Sequence, residues 1–128
     1  MKRLTEEQIK KIKEAEGAFT PYYLRVESPD RNLAELLDEK HWWSTTEGGV
    51  GPEGNLHTAR GLSVCQGIEE MQKYDNHFDI LGKNEIIVVM KGGESPDEPY
   101  DSAFGESLLF PTEIIGWCKP EELIEEDD

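Results

Sequence analysis

Three residues that lie far apart in the sequence have side chains of the types that a reaction site needs. Arg25 follows a pair of tyrosines in YYLRVES, Ser63 lies in the short apolar run GLSVC, and Glu106 begins the run ESLLFP. They are separated by 38 and 43 residues. A guanidinium is a planar, permanently charged fork that suits phosphate groups, and a well-placed carboxylate stabilises positive charge that develops during a reaction. A site built from these side chains requires three separate elements to converge.

The cysteines and histidines allow other interpretations. Cys65 with His57 and an acid could form a cysteine nucleophile, because a nearby imidazole lowers the pKa of a thiol. We do not favour this interpretation, since sequence alone pairs any cysteine with any histidine. His41, His57 and His77 show neither HExxH nor paired CxxC spacing, so the sequence predicts no metal site. The run GGVGPEGN lacks the Gly-Lys-Ser/Thr ending of a phosphate-binding loop and is predicted to be a turn or lid.

Hydrophobic periodicity predicts the elements that must position these side chains. Tyr22, Leu24 and Val26 alternate with polar residues, which predicts a strand with Arg25 on its opposite face. GLSVC predicts a short strand, and GIEEMQKY predicts a short helix after it. The continuous run EIIVVMKG is typical of a central strand buried on both faces. The other predicted elements are helices at 5–16, at about 30–40 and from Pro120, loops at 44–55 and 93–105, and short strands ESLLFP and TEIIGW on either side of Pro111.

This order of elements predicts an α+β fold with a small mixed or antiparallel sheet and short flanking helices, because it does not repeat the βαβ unit. A chain of 128 residues is long enough to bury roughly two-thirds of the surface that it exposes when unfolded. We therefore expect a single domain over residues 1–128, with an N-terminal helix within residues 1–17 and an acidic C-terminal tail at 121–128.

The charge of the chain restricts its partners. It has 13 lysines and arginines against 28 aspartates and glutamates, and the net charge of −15 opposes direct binding to nucleic-acid backbones and anionic membranes. The longest apolar run, IIVVM, is far shorter than the roughly 20 residues that span a bilayer.

Two scattered cysteines, with no signal-peptide core after Met1, favour a cytoplasmic protein with reduced thiols. The acidity also leaves open a non-catalytic interaction or inhibitor protein that binds a basic protein partner, including one that imitates DNA.

The motifs around the three residues resemble those of the ADP-ribosyltransferase superfamily, in its toxin-like arginine–serine–glutamate group. In that family the first strand carries an arginine after an aromatic residue, as YYLRVES does with Arg25. A strand of the kind Ser-Thr-Ser precedes a short helix, and LSVCQGIEEMQKY is similar, with Ser63. A glutamate then precedes an apolar strand that ends in proline, and AFGESLLFP is similar, with Glu106. The resemblance extends over residues 22–117.

The resemblance implies a split sheet and the transfer of ADP-ribose from NAD to a macromolecular acceptor. It gives Glu106 and Ser63 the catalytic roles. The Glu106 carboxylate holds a ribose hydroxyl and stabilises the positive ribose, and the Ser63 hydroxyl positions these groups without acting as a nucleophile. Arg25, together with Arg60 and His57, is expected to bind the dinucleotide. No metal is implied.

Two departures from the family pattern affect the expected acceptor and the expected activity. The middle motif reads Ser-Val-Cys rather than Ser-Thr-Ser, and Phe104 lies two residues before Glu106, where arginine-modifying members carry a second Glu or Gln. We therefore expect an acceptor other than arginine. An inactive, binding-only version of the fold is the alternative.

Overall fold

The computed structural model describes residues 2–47, 56–82, 84–99 and 101–124. Its helices are α1 (Glu6–Glu14), α2 (Ile68–Phe78) and α3 (Pro120–Leu123). Its strands are β1 (Tyr23–Glu27), β2 (Trp43–Glu47), β3 (Leu56–Arg60), β4 (Leu62–Gln66), β5 (Ile86–Glu94) and β6 (Glu106–Cys118). Short 3₁₀ segments occur at Leu33–Leu37, Glu39–His41 and Ser102–Phe104. The predicted α+β class is confirmed.

Four of the strands form a closed antiparallel barrel in the order β1, β4, β6, β5. β1 pairs with β5 along its whole length and with β4 at Tyr23 and Leu24. β6 pairs with β4 through its first residues and with β5 through the remainder. The split sheet implied by the family resemblance is therefore wrong. The sheet closes on itself because each of the four strands pairs with two others.

β5 is buried on both faces, as its continuous apolar run predicts. Alternate residues of the strand enter two different apolar clusters, Ile87 and Val89 in one and Ile86, Val88 and Met90 in the other. All three α-helices contribute side chains to the first cluster, and the 3₁₀ segment at 33–37 contributes to the second. The helices therefore cover one face of β5, and the 3₁₀ segment covers the other.

Pro111 does not end the strand that begins at Glu106. The sequence predicts two strands here, whereas β6 continues to Cys118. Proline lacks a backbone N–H, and β6 accommodates it where its register against β5 shifts. Gly92 of β5 faces Pro111 in that register, and a Cβ at this position would collide with the Phe110 carbonyl oxygen. Glycine at 92 therefore permits the close approach of the two strands.

Residues 30–40 do not form the predicted α-helix. They form two 3₁₀ segments instead, at 33–37 and 39–41. The Asn32 side chain accepts a hydrogen bond from the Ala34 N–H, and the Asp38 side chain accepts one from the Lys40 N–H. Because Asp38 caps the second segment from within the predicted helix, it interrupts the ladder of backbone hydrogen bonds that a continuous helix needs.

β2 and β3 form a separate two-stranded antiparallel sheet that the sequence does not predict. β2 lies at the start of a stretch predicted to be a loop. The rest of that stretch, with its glycine-rich run, lies outside the described residues, and so does the end of the acidic tail at 125–128. The start of the predicted loop is therefore a strand, β2. The turn or lid predicted for the glycine-rich run stays a prediction.

α1 begins as its sequence predicts. The Thr5 side chain accepts a hydrogen bond from the Gln8 N–H at 3.1 Å, and the Gln8 side chain accepts one from the Thr5 N–H at 2.9 Å, which forms a capping box. Ile12 is its buried residue and joins the first apolar cluster. None of the helices in the described ranges combines the length and the apolar character needed to cross a membrane.

Candidate functional site

The candidate site lies where β1 and β4 separate. The two strands pair at Tyr23 and Leu24 of β1, and in the described structure no later residue of β1 pairs with β4. Arg25 is the first residue beyond that pairing. If the antiparallel ladder continued, Val26 would face Ser63 of β4. The separation of the two strands therefore leaves a gap in the barrel wall between Arg25 and Ser63.

A pocket of about 230 Å³ occupies this gap. Its polar lining is Arg25, Ser63, Cys65 and Tyr74. Its apolar lining comes from β1, β4, α2 and the segment after α2, through Leu24, Val26, Val64, Met71 and Ile80. An arginine and a serine that are far apart in sequence therefore share one largely apolar pocket.

Arg25 crosses the gap between the two strands. Its Nη1 donates a hydrogen bond of 2.7 Å to the Ser63 carbonyl oxygen, and its Nε donates one of 2.9 Å to Glu27 Oε2. The Arg25 side chain is 24% exposed, so the guanidinium is partly accessible from the pocket. Hydrogen bonds between an arginine and a carboxylate are stronger than neutral ones, and the Glu27 contact holds the guanidinium in place.

The Ser63 hydroxyl donates a hydrogen bond to Oε2 of Glu106. The pairing of β4 with β6 explains this contact, because Glu106 lies opposite Cys65 and Ser63 lies opposite Leu108. Ser63 and Glu106 are thus diagonal neighbours on one face of the sheet, a separation that a long side chain spans. Among the described residues, Glu106 is not part of the pocket lining. It contacts the pocket through Ser63.

The turn before β6 holds the other oxygen of the Glu106 carboxylate. The Asp101 N–H donates a hydrogen bond of 2.9 Å to Glu106 Oε1. The pKa of the Asp101 carboxyl is raised, first by burial and then by the charge of Glu106, whereas His77 acts to lower it. Hydrogen bonds to both oxygens orient the Glu106 carboxylate, and the two acids make this end of the site negative.

Tyr74 joins the site from α2. Its side chain lines the pocket together with Ser63. The pKa of Tyr74 is raised, mainly by burial and then by the charges of Glu106 and Asp101, against an opposing effect of the Ser63 hydroxyl. The phenol is therefore kept protonated beside Ser63. From sequence, Tyr74 is read only as a helix-packing residue, because its spacing from Met71 places it on the apolar face.

Cys65 lies in the pocket lining as a buried free thiol. Burial raises its pKa to about 12, and the charges of Glu70 and Glu106 act in the same direction. A thiol in such surroundings stays protonated near neutral pH, which opposes the cysteine-nucleophile interpretation. His57 lies on β3, paired with Thr46 of β2. The His57 side chain lies outside the described part of the structure.

Arg60 is the last residue of β3 and forms an ion pair with Asp97. Its Nε lies 3.1 Å from Asp97 Oδ2, and its backbone N–H donates to the same oxygen at 2.9 Å. The pKa of Arg60 is raised, first by its hydrogen bond to Asp97 and then by the charge of that carboxylate. Among the described residues, Arg60 is not part of the pocket lining. The structure thus brings Arg25, Ser63 and Glu106 together and places Arg60 elsewhere on the surface.

Aromatic rings lie next to the pocket on the side of Glu106. The rings of His77 and Phe104 stack with their centroids 3.7 Å apart, and the Phe78 ring packs on Tyr74 at 4.6 Å. Phe78 and Phe104 are 40% and 37% exposed. Phe104 therefore lies in an exposed aromatic cluster that borders the pocket through Tyr74.

Two residues of the site, Glu27 and Asp101, were not singled out from the sequence. Glu27 carried a usable signal, because it lies two residues after Arg25 and so projects from the same face of a strand. Asp101 acts through its backbone N–H, and every residue type except proline has such a group, so the sequence carries no signal for it.

The described residues contain no group of three or more histidine, cysteine or acidic side chains arranged to hold a metal ion. No model of a known protein family, no curated protein and no solved structure matches this chain.

Proposed function

We propose that this protein transfers ADP-ribose from NAD to a macromolecular acceptor. One observation supports the proposal above the others. Arg25, Ser63 and Glu106, from three different strands, are connected by hydrogen bonds at one pocket. The sequence predicts all three as site residues from their side-chain types and motifs, although they are separated by 38 and 43 residues.

The chemistry of the reaction matches the charges of the site. The bond between the nicotinamide nitrogen and ribose C1′ breaks, and its electron pair neutralises the positive ring of nicotinamide. The ribose becomes an oxocarbenium ion, which the acceptor attacks at C1′ as it loses a proton to water. The Glu106 carboxylate contacts the pocket through Ser63, and we propose that its negative charge stabilises the positive ribose. Ser63 and the Asp101 N–H keep that carboxylate in one orientation.

The guanidinium of Arg25 suits the phosphates of NAD. It is partly exposed in the pocket lining, and its hydrogen bonds go to Glu27 and to the Ser63 carbonyl rather than to Glu106 or Asp101. Pockets for small molecules commonly have volumes of about 300–1,000 Å³. The pocket, at about 230 Å³, is smaller than this range, so we propose that it holds a part of NAD and not the whole dinucleotide. Arg60 and His57 stay predicted contacts of NAD, although Arg60 is paired with Asp97 and does not line the pocket.

A rival function is a non-catalytic acidic protein that binds a basic protein partner. The net charge of −15 supports it, since a strongly acidic surface attracts basic surfaces.

Labelling with NAD separates the two functions. The full chain is incubated with a cell lysate and with NAD labelled on its adenylate part, and the proteins are separated and examined for label. Labelled product that requires Glu106 supports the proposal, and its absence in the wild type supports the rival.

A further inference from the structure

Glu27 is a buried carboxylate beside the pocket. Its side chain is 8% exposed, and it follows Arg25 by two residues on β1, so both project from the same face of the strand. Glu27 Oε2 accepts the hydrogen bond from Arg25 Nε at 2.9 Å and lies 3.7 Å from Arg31 Nη1. A buried carboxylate is unfavourable unless charged partners compensate for its lost hydration. Two guanidiniums compensate for it here.

The guanidinium of Arg25 is held at two points. Its Nε is hydrogen-bonded to Glu27, and its Nη1 is hydrogen-bonded to the Ser63 carbonyl. Within the described residues, Nη2 of Arg25 has no hydrogen-bond partner. Because the guanidinium is planar and rigid, two fixed donors determine the direction of the third. The N–H groups of Nη2 are those left for a ligand.

The charge of Glu27 and its position have opposite effects on the binding of an anion. By charge alone, a carboxylate beside Arg25 weakens the attraction of the guanidinium for phosphate, so its removal would tighten binding. If the carboxylate orients the guanidinium, its removal leaves Arg25 free to adopt other rotamers, and binding weakens. The two effects differ in sign, so a binding measurement separates them.

We infer that Glu27 is a positioning residue for Arg25. Through Nε it fixes the guanidinium so that Nη2 faces a phosphate or a ribose hydroxyl of the ligand in the pocket. The inference rests on the proposed function for the identity of the ligand as NAD. The orientation of Arg25 by Glu27 is a property of the protein alone, and it can be measured without NAD.

Calorimetric titration of the full chain with NAD, at fixed salt concentration, tests the inference. We expect Glu27→Ala to weaken binding about tenfold, because a guanidinium that is free to move must be immobilised when NAD binds. Glu27→Gln should lose less, because its amide oxygen still accepts a hydrogen bond from Nε. The matched control is Glu122→Gln, which removes the same charge from a pair with Arg3 at 2.6 Å and should leave the Kd for NAD unchanged.

A double variant separates positioning from a general loss of packing. If Glu27 acts through Arg25, Glu27→Ala causes no further loss of NAD affinity in an Arg25→Gln background. Unchanged or tighter binding in the single Glu27 variants would overturn the inference, and so would full additivity with Arg25→Gln. If Glu27→Ala does not fold, as judged by circular dichroism, Glu27→Gln decides.

A readout that needs no ligand keeps the inference distinct from the proposed function. In nuclear magnetic resonance spectra of the wild type, the Nε proton of Arg25 should exchange slowly with water, and in Glu27→Gln it should exchange faster. If the wild type does not bind NAD, the proposed function fails, and this exchange measurement alone decides the inference. Equal exchange in the two proteins would overturn it.

Discussion

The hydroxyl of Ser63 donates a hydrogen bond to the carboxylate of Glu106, across 43 residues of sequence. The pairing of β4 with β6 makes these residues diagonal neighbours on one face of the barrel wall. The same carboxylate accepts the Asp101 N–H at 2.9 Å, so both of its oxygens are fixed. A carboxylate held in this way stabilises a developing positive charge without having to reorient during the reaction.

Tyr74→Phe should slow the cleavage of NAD without unfolding the protein. The change removes a hydroxyl from the pocket lining and keeps the ring that packs on Phe78 at 4.6 Å. If this hydroxyl makes one neutral hydrogen bond in the reacting complex, its loss corresponds to a rate reduction of about three- to tenfold. Release of nicotinamide and thermal unfolding should be measured on the same preparation. An unchanged rate would remove Tyr74 from the reaction site.

Gly105→Ala should reduce both stability and activity, because it displaces the turn before Glu106. Gly105 has a φ of +103°, and a Cβ there would lie 2.6 Å from the Glu70 carbonyl oxygen. We expect a loss of about 1–3 kcal/mol in the free energy of unfolding, together with slower nicotinamide release.

Gly93→Ala is the matched control, since a Cβ at that position meets no atom of the described residues within 4 Å, apart from its neighbours in the chain. The control should keep wild-type activity. Equal effects of the two substitutions would contradict the role that we give to the turn.

Glu16 stabilises the start of α2, the helix that carries Tyr74. Its Oε1 accepts a hydrogen bond of 2.6 Å from the Ile68 N–H, and its Oε2 accepts one of 2.9 Å from the Glu69 N–H. The Gly67 N-cap has no side chain to do so. Glu16→Ala should therefore lower the free energy of unfolding by about 1–2 kcal/mol, as the loss of a helix cap does.

Urea denaturation measures this effect, with Glu14→Ala as the control. Glu14 lies 3.9 Å from Lys10 in a highly exposed pair, which contributes about 0.5 kcal/mol or less. Equal losses in the two variants would contradict the capping role of Glu16.

Stability should fall in alkaline solution. Burial raises the pKa of Cys65 and of Cys118 to about 12, from an ordinary value of 9.0. The unfolded chain therefore loses these protons at lower pH than the folded chain does. The free energy of unfolding should be constant with respect to these thiols below about pH 9 and should decrease as the pH rises toward about 12.

Urea denaturation between about pH 8 and 11, with a reductant present, measures this decrease. Cys65→Ala removes one of the two thiols and should make the decrease shallower. An identical pH dependence in wild type and variant would show that the Cys65 thiol is not the group responsible.

The sequence predicts the local elements that carry the site better than it predicts their assembly. Arg25, Ser63 and Glu106 each lie in a strand that periodicity or composition reveals. Their convergence depends on pairings between distant strands, and no local pattern specifies which strands pair. The sequence does not predict the closure of the barrel for the same reason, because closure requires two partners for each strand and the alternation of residues does not identify them.

Two local errors have local physical causes. Proline cannot donate a backbone hydrogen bond, so the sequence predicts that a strand ends at Pro111, yet β6 continues through a shift of its register against β5 next to Gly92. Residues 30–40 have helical spacing, but Asp38 competes for backbone N–H groups and divides the segment into two 3₁₀ pieces. At Asp38 a side-chain hydrogen bond prevails over the helical spacing of the segment. At Pro111 the pairing with β5 prevails over the tendency of proline to end a strand.

Release of nicotinamide from NAD by the wild type and by Glu106→Gln, in the presence of lysate, tests the central claim most directly. Both proteins should have the same circular dichroism spectrum and thermal transition. We predict that the wild type releases nicotinamide and that Glu106→Gln is slower by a factor on the order of 10²–10³, because it lacks the charge that stabilises the oxocarbenium ion. Absence of release by the wild type, or equal release by both proteins, would contradict the claim that Arg25, Ser63 and Glu106 form an NAD-cleaving site.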